Sequence, residues 1–195
     1  MKVWPVLLIL LLWLVWPASE REHPPGQTAP QPPEQRTVRS GALLTLDEYT
    51  LTPLAEFDIT ARVLAREDYH FGREADLSPT DLALGWGIMS DSQILDSLDI
   101  SQSGRWYRWR AEQLPAPRRD IERSSANMHI VPASDWVADQ LKRVRRGDLV
   151  HIEGYLIRAD SSDGWHWVSS TSRDDTGDGA CEIIYAESLR ILPAG

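Results

Sequence analysis

The chain has 195 residues, ordinary apolar and charged fractions, and a formal net charge of −9. That length supports one core with appendages, and the acidic balance argues against a general nucleic-acid binder, which needs cationic surface to neutralise phosphates. A single cysteine, Cys181, excludes an intramolecular disulfide, so the fold rests on its core.

Residues 1–17, MKVWPVLLILLLWLVWP, place one lysine before an uncharged apolar run, the order of a secretory signal. Trp16 or Pro17 falls where a cleavage site needs a small residue, which favours an uncleaved signal-anchor over a cleaved peptide. Trp4, Trp13 and Trp16 are of the type that settles at membrane interfaces. Lys2 on the short side predicts an inner-membrane protein, entering the bilayer through residues 3–17, with its bulk in the periplasm. Residues 20–39 hold five prolines and no periodicity, and read as an extended linker. Residues 1–19, 20–39 and 40–195 are thus expected to be anchor or signal peptide, Pro-rich linker, and one extracytoplasmic β-rich domain.

Within the domain, residues 55–66 alternate Phe57, Ile59, Ala61 and Val63 against Asp58, Thr60 and Arg62, a strand pattern. In LSPTDLALGWG, Ser78 as cap, Pro79 at the first position and Asp81 in the first turn predict a short helix stopping at Gly85. A second short helix is expected over SDSQILDSL, capped by Ser90 or Asp91. GRWYRWR (104–110) and NMHIVPA (127–133) read as strands, and SDWVADQLKRVRRGD as a helix from Ser134 to Gly147. DLVHIEGYLIR, a turn at DSSDG, WHWVSS and CEIIYAESLRIL follow as a hairpin and a last strand. Gly154 in mid-strand marks a bend or bulge. The expected fold is mainly β with short peripheral helices (α+β): a small, partly open β-barrel, OB-like, after an N-terminal membrane helix. An open α+β sheet is the alternative.

The combination DLALGWGIMSD, SSANMHIVPA and SSTSRDDTGDGACE resembles that of membrane-anchored bacterial proteins of unassigned function, over most of residues 55–190. The resemblance implies an extracytoplasmic single-domain protein and brings no activity with it.

A thiol nucleophile needs a base and oxyanion donors. His166, fifteen residues before Cys181, resembles in that spacing the pair of L,D-transpeptidases, exported enzymes that crosslink peptidoglycan. The departures are plain: Trp167 follows the histidine where those enzymes have glycine, and Cys181 stands in DGACE, beside the carboxylate of Glu182. Asp174, Asp175 and Asp178 are candidate ligands for a hard cation, although an EF-hand register fails at Thr176 and Tyr185. His129, His151, His166 and Cys181 lack the short ligand pairs of a zinc site. The bland reading makes 172–182 a turn and Cys181 a small residue opening a strand.

Trp165 and Trp167 share one strand face and, with Trp86, Trp106 and Arg108, are candidates for binding a sugar ring or a peptide. Residues 105–146 carry ten basic side chains against five acidic ones. This suits a solvated surface, anionic lipid head groups or an acidic partner. The functional expectation is a membrane-tethered binding or structural module of the bacterial envelope, with an envelope protein or cell-wall component as partner and no cofactor, nucleic acid or catalysis. The alternative is an exported transferase or hydrolase acting on peptidoglycan through Cys181 and His166.

Overall fold

A computed structural model describes residues 20–38, 42–172 and 181–193. The protein is mainly β, with few and short helices, and its principal sheet closes on itself. β3 (Tyr49–Asp68) pairs with β4 (Thr80–Gly85), β4 with β7 (Ser125–Pro132), β7 with β10 (Glu182–Ile191), and β10 with β8 (Leu149–Ser161). β8 then returns to β3, completing a ring of five strands in which only the β7–β10 pair is parallel.

The length of β3 makes closure possible. Its residues from Tyr49 to Arg62 lie against β8, and those from Arg62 to Asp68 against β4, so one bent strand serves both sides of the seam. Alternation along it sends Ala55, Phe57, Ile59, Ala61 and Val63 into the barrel, where they meet Leu82, Leu84, Met128, Ile130, Val150 and Ile152. Gly154 sits where the β8 and β10 backbones are in close contact: a Cβ there would lie 2.0 Å from the Tyr185 carbonyl oxygen. The β10 register shifts beside it, between Ala186 and Ser188, as the mid-strand glycine predicts.

The first expected helix is instead β4. Its six residues are all buried, held between β3 and β7, with Leu82 and Leu84 facing the core. A short apolar run is compatible with either helix or buried strand. Here a ladder on both sides outweighs a cap signal. Ser78 bonds the Thr80 carbonyl through its hydroxyl rather than capping a helix.

Other elements follow the sequence reading. Asp91 caps α2 (Ser92–Leu95) by accepting from the Gln93 N–H. Ser134 caps α4 (Asp135–Arg143), which buries Val137 and Leu141 against the barrel and ends before the expected stop at Gly147, because the backbone is already extended at Val144. β9 (His166–Val168) forms a hairpin with β8. Two helices, α1 (Arg73–Leu77) and α3 (Arg118–Arg123), carry no strong signal in the sequence. β5 (Asp99–Ser103) and β6 (Trp106–Arg110) form a separate hairpin turning at Gly104 and Arg105, both with positive φ.

Residues 20–38 do not hang free as a linker. Ala29 is buried, its N–H donates to Ser90 Oγ, and its carbonyl accepts from Gly87. β1 (Glu34–Thr37) pairs antiparallel with β3, while β2 (Leu44–Leu46) pairs with its beginning. Prolines space this segment without preventing single residues from docking, which composition alone does not register. Residues 1–19 lie outside the described residues. Among the described residues no helix is long and apolar enough to cross a membrane.

Candidate functional site

Alternation in β4 and β7 turns Asp81, Ala83, Asn127 and His129 to the outside of the barrel, with Asp81 level with His129. Three connections converge on this face. The β3–β4 connection supplies Tyr69, Arg73 and Ser78; the tip of the β5–β6 hairpin supplies Arg105; the β8–β10 connection supplies Trp165, Trp167 and Cys181.

Asp81 is the centre. It is fully buried, and its Oδ1 lies 2.6 Å from Arg105 Nη1 and 2.8 Å from His129 Nδ1. Asn127 Nδ2 donates weakly to Oδ2 at 3.4 Å, and Ser78 Oγ to Oδ1 at 3.5 Å. A buried carboxylate persists only when paired and hydrogen-bonded; Arg105, Asn127 and Ser78 supply the hydrogen bonds, while His129 Nδ1 stands close without hydrogen-bond geometry. Asn127 also donates to the Arg105 carbonyl at 3.1 Å and accepts from Gln102 Nε2 at 2.6 Å.

Arg105 is held from several directions. Its N–H donates to the Tyr69 hydroxyl at 2.8 Å, and Nη1 donates to the Ser78 carbonyl at 3.0 Å. The guanidinium carbon stands 3.8 Å from the Tyr69 ring centroid and 5.6 Å from that of Trp167. These are cation–π contacts, which strengthen as water is excluded. Burial pushes the Tyr69 phenol up, while the Arg105 N–H and charge pull it back. The Arg105 side chain remains 20% exposed, and its Nε and Nη2 have no partner among the described residues. It therefore keeps donors for an incoming group.

Aromatic rings extend the site. His129 packs on Trp167 with centroids 4.7 Å apart, Trp167 lies 6.4 Å from Trp165, and Trp165 meets Tyr49 edge-on at 5.6 Å. Arg73 stands 5.4 Å from the Trp165 centroid and forms a two-pronged bond to Asp163 at 2.7 and 3.1 Å. That bond, reinforced by the Trp165 N–H, lowers the Asp163 carboxyl to about 2. Both tryptophans are half-buried.

Of the candidates read from sequence, Trp165 and Trp167 come together as expected. Trp86 does not join them: it is 4% exposed and packs in the barrel core. Trp106 and Arg108 lie on the β5–β6 hairpin, where Arg108 bonds Ser103 Oγ, and no bond joins either to Asp81. On β9, His166 is exposed, opposite Asp160 in the ladder, whereas Trp167 packs on His129. The Cys181 sulfur lies 4.0 Å from the Arg105 carbonyl oxygen. Asp174, Asp175 and Asp178 lie outside the described residues.

His129 enters the cluster through a carboxylate and a tryptophan, and His151 stands elsewhere, with Asp58 and Glu153. There Arg190 Nη2 is 2.8 Å from His151 Nδ1 and 3.1 Å from Glu153 Oε2, so an arginine already supplies the positive charge. Sequence reasoning missed Tyr69, Arg73, Asp81, Arg105 and Asn127. The one local signal was a charged residue inside an apolar run, at Asp81.

Comparison with protein-family models, with curated proteins and with solved structures finds no match to this chain.

Proposed function

We propose that the chain is a membrane-tethered, extracytoplasmic binding module of the bacterial envelope, built on an OB-type barrel that holds a cell-wall saccharide on its aromatic and arginine-bearing face. Several features support the barrel type. The ring runs first, second, third, fifth, fourth strand, the third and fifth are parallel, and α4 lies between the third and fourth. Barrels of this type bind oligosaccharides and oligonucleotides on the face of their second and third strands, flanked by the first–second and fourth–fifth connections. In this chain those places are held by Asp81, Asn127 and His129, by Tyr69 and Arg73, and by Trp165 and Trp167.

The observation that carries the reading is the Trp165–Trp167 pair beside Arg105. A sugar ring stacks on an indole through its C–H faces, and a carboxylate on the same saccharide would take the Nε and Nη2 donors of Arg105. The net charge of −9 disfavours the oligonucleotide alternative. Residues 1–17 supply the membrane attachment.

The test is titration of the detergent-solubilised full chain with soluble peptidoglycan fragments, read by calorimetry. Saturable binding is expected, weakened at least tenfold in Trp165→Ala and in Trp167→Ala. Binding that is absent in the parent chain, or as tight in both variants as in the parent, overturns the proposal.

A further inference from the structure

The way residues 20–29 are fastened says where the domain sits relative to the membrane. The Arg21 N–H donates to the Arg146 carbonyl at 3.2 Å, and Arg21 Nε lies 3.2 Å from Asp148 Oδ1, a carboxylate only 4% exposed. His23 Nε2 is 2.6 Å from the Gly147 carbonyl, and Glu20 Oε1 is 2.8 Å from Arg146 Nε. A Cβ on Gly147 would fall 2.1 Å from the Arg21 carbonyl oxygen, so the two backbones are in direct contact. The strap therefore begins just beyond the C-terminal end of α4.

The apolar run ends at residue 17, and three residues of chain reach at most about 11 Å. This is close to one Debye length at physiological salt, roughly 8 Å, so charges beside Glu20 feel the head groups. Lys142, Arg143, Arg145 and Arg146 are all exposed there. Lys142 pairs with Asp139 and Arg146 with Glu20, while the side chains of Arg143 and Arg145 have no ion-pair partner among the described residues. Trp136, 54% exposed, lies on the same helix and, by helical spacing, on one face with Gln140 and Arg143. An exposed tryptophan beside arginines is the composition of a membrane interface.

We propose that this surface, Trp136 with Arg143 and Arg145, rests on the anionic phospholipid head groups of the membrane that holds the chain. The strap and this surface together fix the barrel against the bilayer, in place of a domain swinging on a flexible linker. The inference rests on the anchored reading of residues 1–17.

The experiment uses the full chain in Cys181→Ser form, with Gln140→Cys carrying a fluorophore, in vesicles of phosphatidylcholine alone or with phosphatidylglycerol. A nitroxide on a minor lipid's head group is the quencher. Strong quenching is expected only with phosphatidylglycerol, and its loss is expected in 0.5 M salt and in the Arg143→Gln/Arg145→Gln variant. Equal weak quenching in both vesicle types, with the chain still resisting carbonate extraction, overturns the proposal and leaves the anchor standing. Extraction by carbonate overturns the anchor and the proposal with it. Shielding of the label that requires an added membrane protein rather than the lipid overturns it in favour of a protein partner.

Discussion

Arg105 Nη1 lies 2.6 Å from Asp81 Oδ1, joining the tip of a surface hairpin to a fully buried carboxylate on a central strand. Arg105 adopts φ +69 to make that contact, a conformation uncommon for a residue with a Cβ. Removing one member of a buried pair strands the other charge. Arg105→Met is expected to cost about 3 kcal/mol in urea unfolding followed by circular dichroism. Asp81→Asn in the same chain should return part of that loss, because no carboxylate then remains unpaired. An unchanged urea midpoint in the single variant would show that Asp81 is compensated elsewhere.

Tyr107 donates its hydroxyl to Ser125 Oγ at 3.3 Å, and burial pushes the phenol up to about 12. A raised folded value favours the neutral form, so this contribution is complete below pH 10 and disappears as pH rises to about 12. The two-unit gap corresponds to roughly 2 to 3 kcal/mol. Tyr107→Phe should flatten the alkaline fall in stability by that amount, measured as urea midpoints between pH 9 and 11.5. Tyr49, Tyr69 and Tyr185 are shifted in the same direction and remain in both proteins, so the difference isolates Tyr107.

The Arg73–Asp163 bond positions the cation near Trp165. Because the bond lowers the Asp163 carboxyl to about 2, its contribution is present above the ordinary carboxylate range and is lost as pH falls through about 2. The indole N–H resonance of Trp165 should move on acidification to pH 2, and Asp163→Asn should hold it near the acid position at pH 7. A resonance identical in both proteins at pH 7 would mean that Arg73 is placed without Asp163.

Two glycines separate the barrel from its strap. Gly154→Ala would drive a Cβ to 2.0 Å from the Tyr185 carbonyl oxygen across the β8–β10 pair, and it should abolish folding or cost more than about 3 kcal/mol. Gly147→Ala clashes instead with Arg21, at a φ of +86 that disfavours alanine. It should speed tryptic cleavage after Arg21 while the barrel's urea midpoint falls far less than in Gly154→Ala. Equal losses in the two variants would make the strap part of the barrel's cooperative unit.

The sequence alone carries those features that a few neighbouring residues settle. The alternation of residues 55–66, the caps at Asp91 and Ser134, the β8–β9 turn, the bend at Gly154 and the shared face of Trp165 and Trp167 all rest on local geometry. Side-chain period, cap bonds and turn conformation act over one to four positions, so the letters suffice. The remainder depends on partners distant in the chain. Residues 80–85 carry helix-start signals and become a strand because β3 and β7 lie on either side. The Pro-rich segment docks because Ser90, Gly147 and Asp148 offer bonds from far along the chain. The site around Asp81 joins Arg105, 24 residues away, to Asn127, 46 away, and His129. No local pattern encodes that meeting, since closing the five-stranded ring is what sets those side chains on one face.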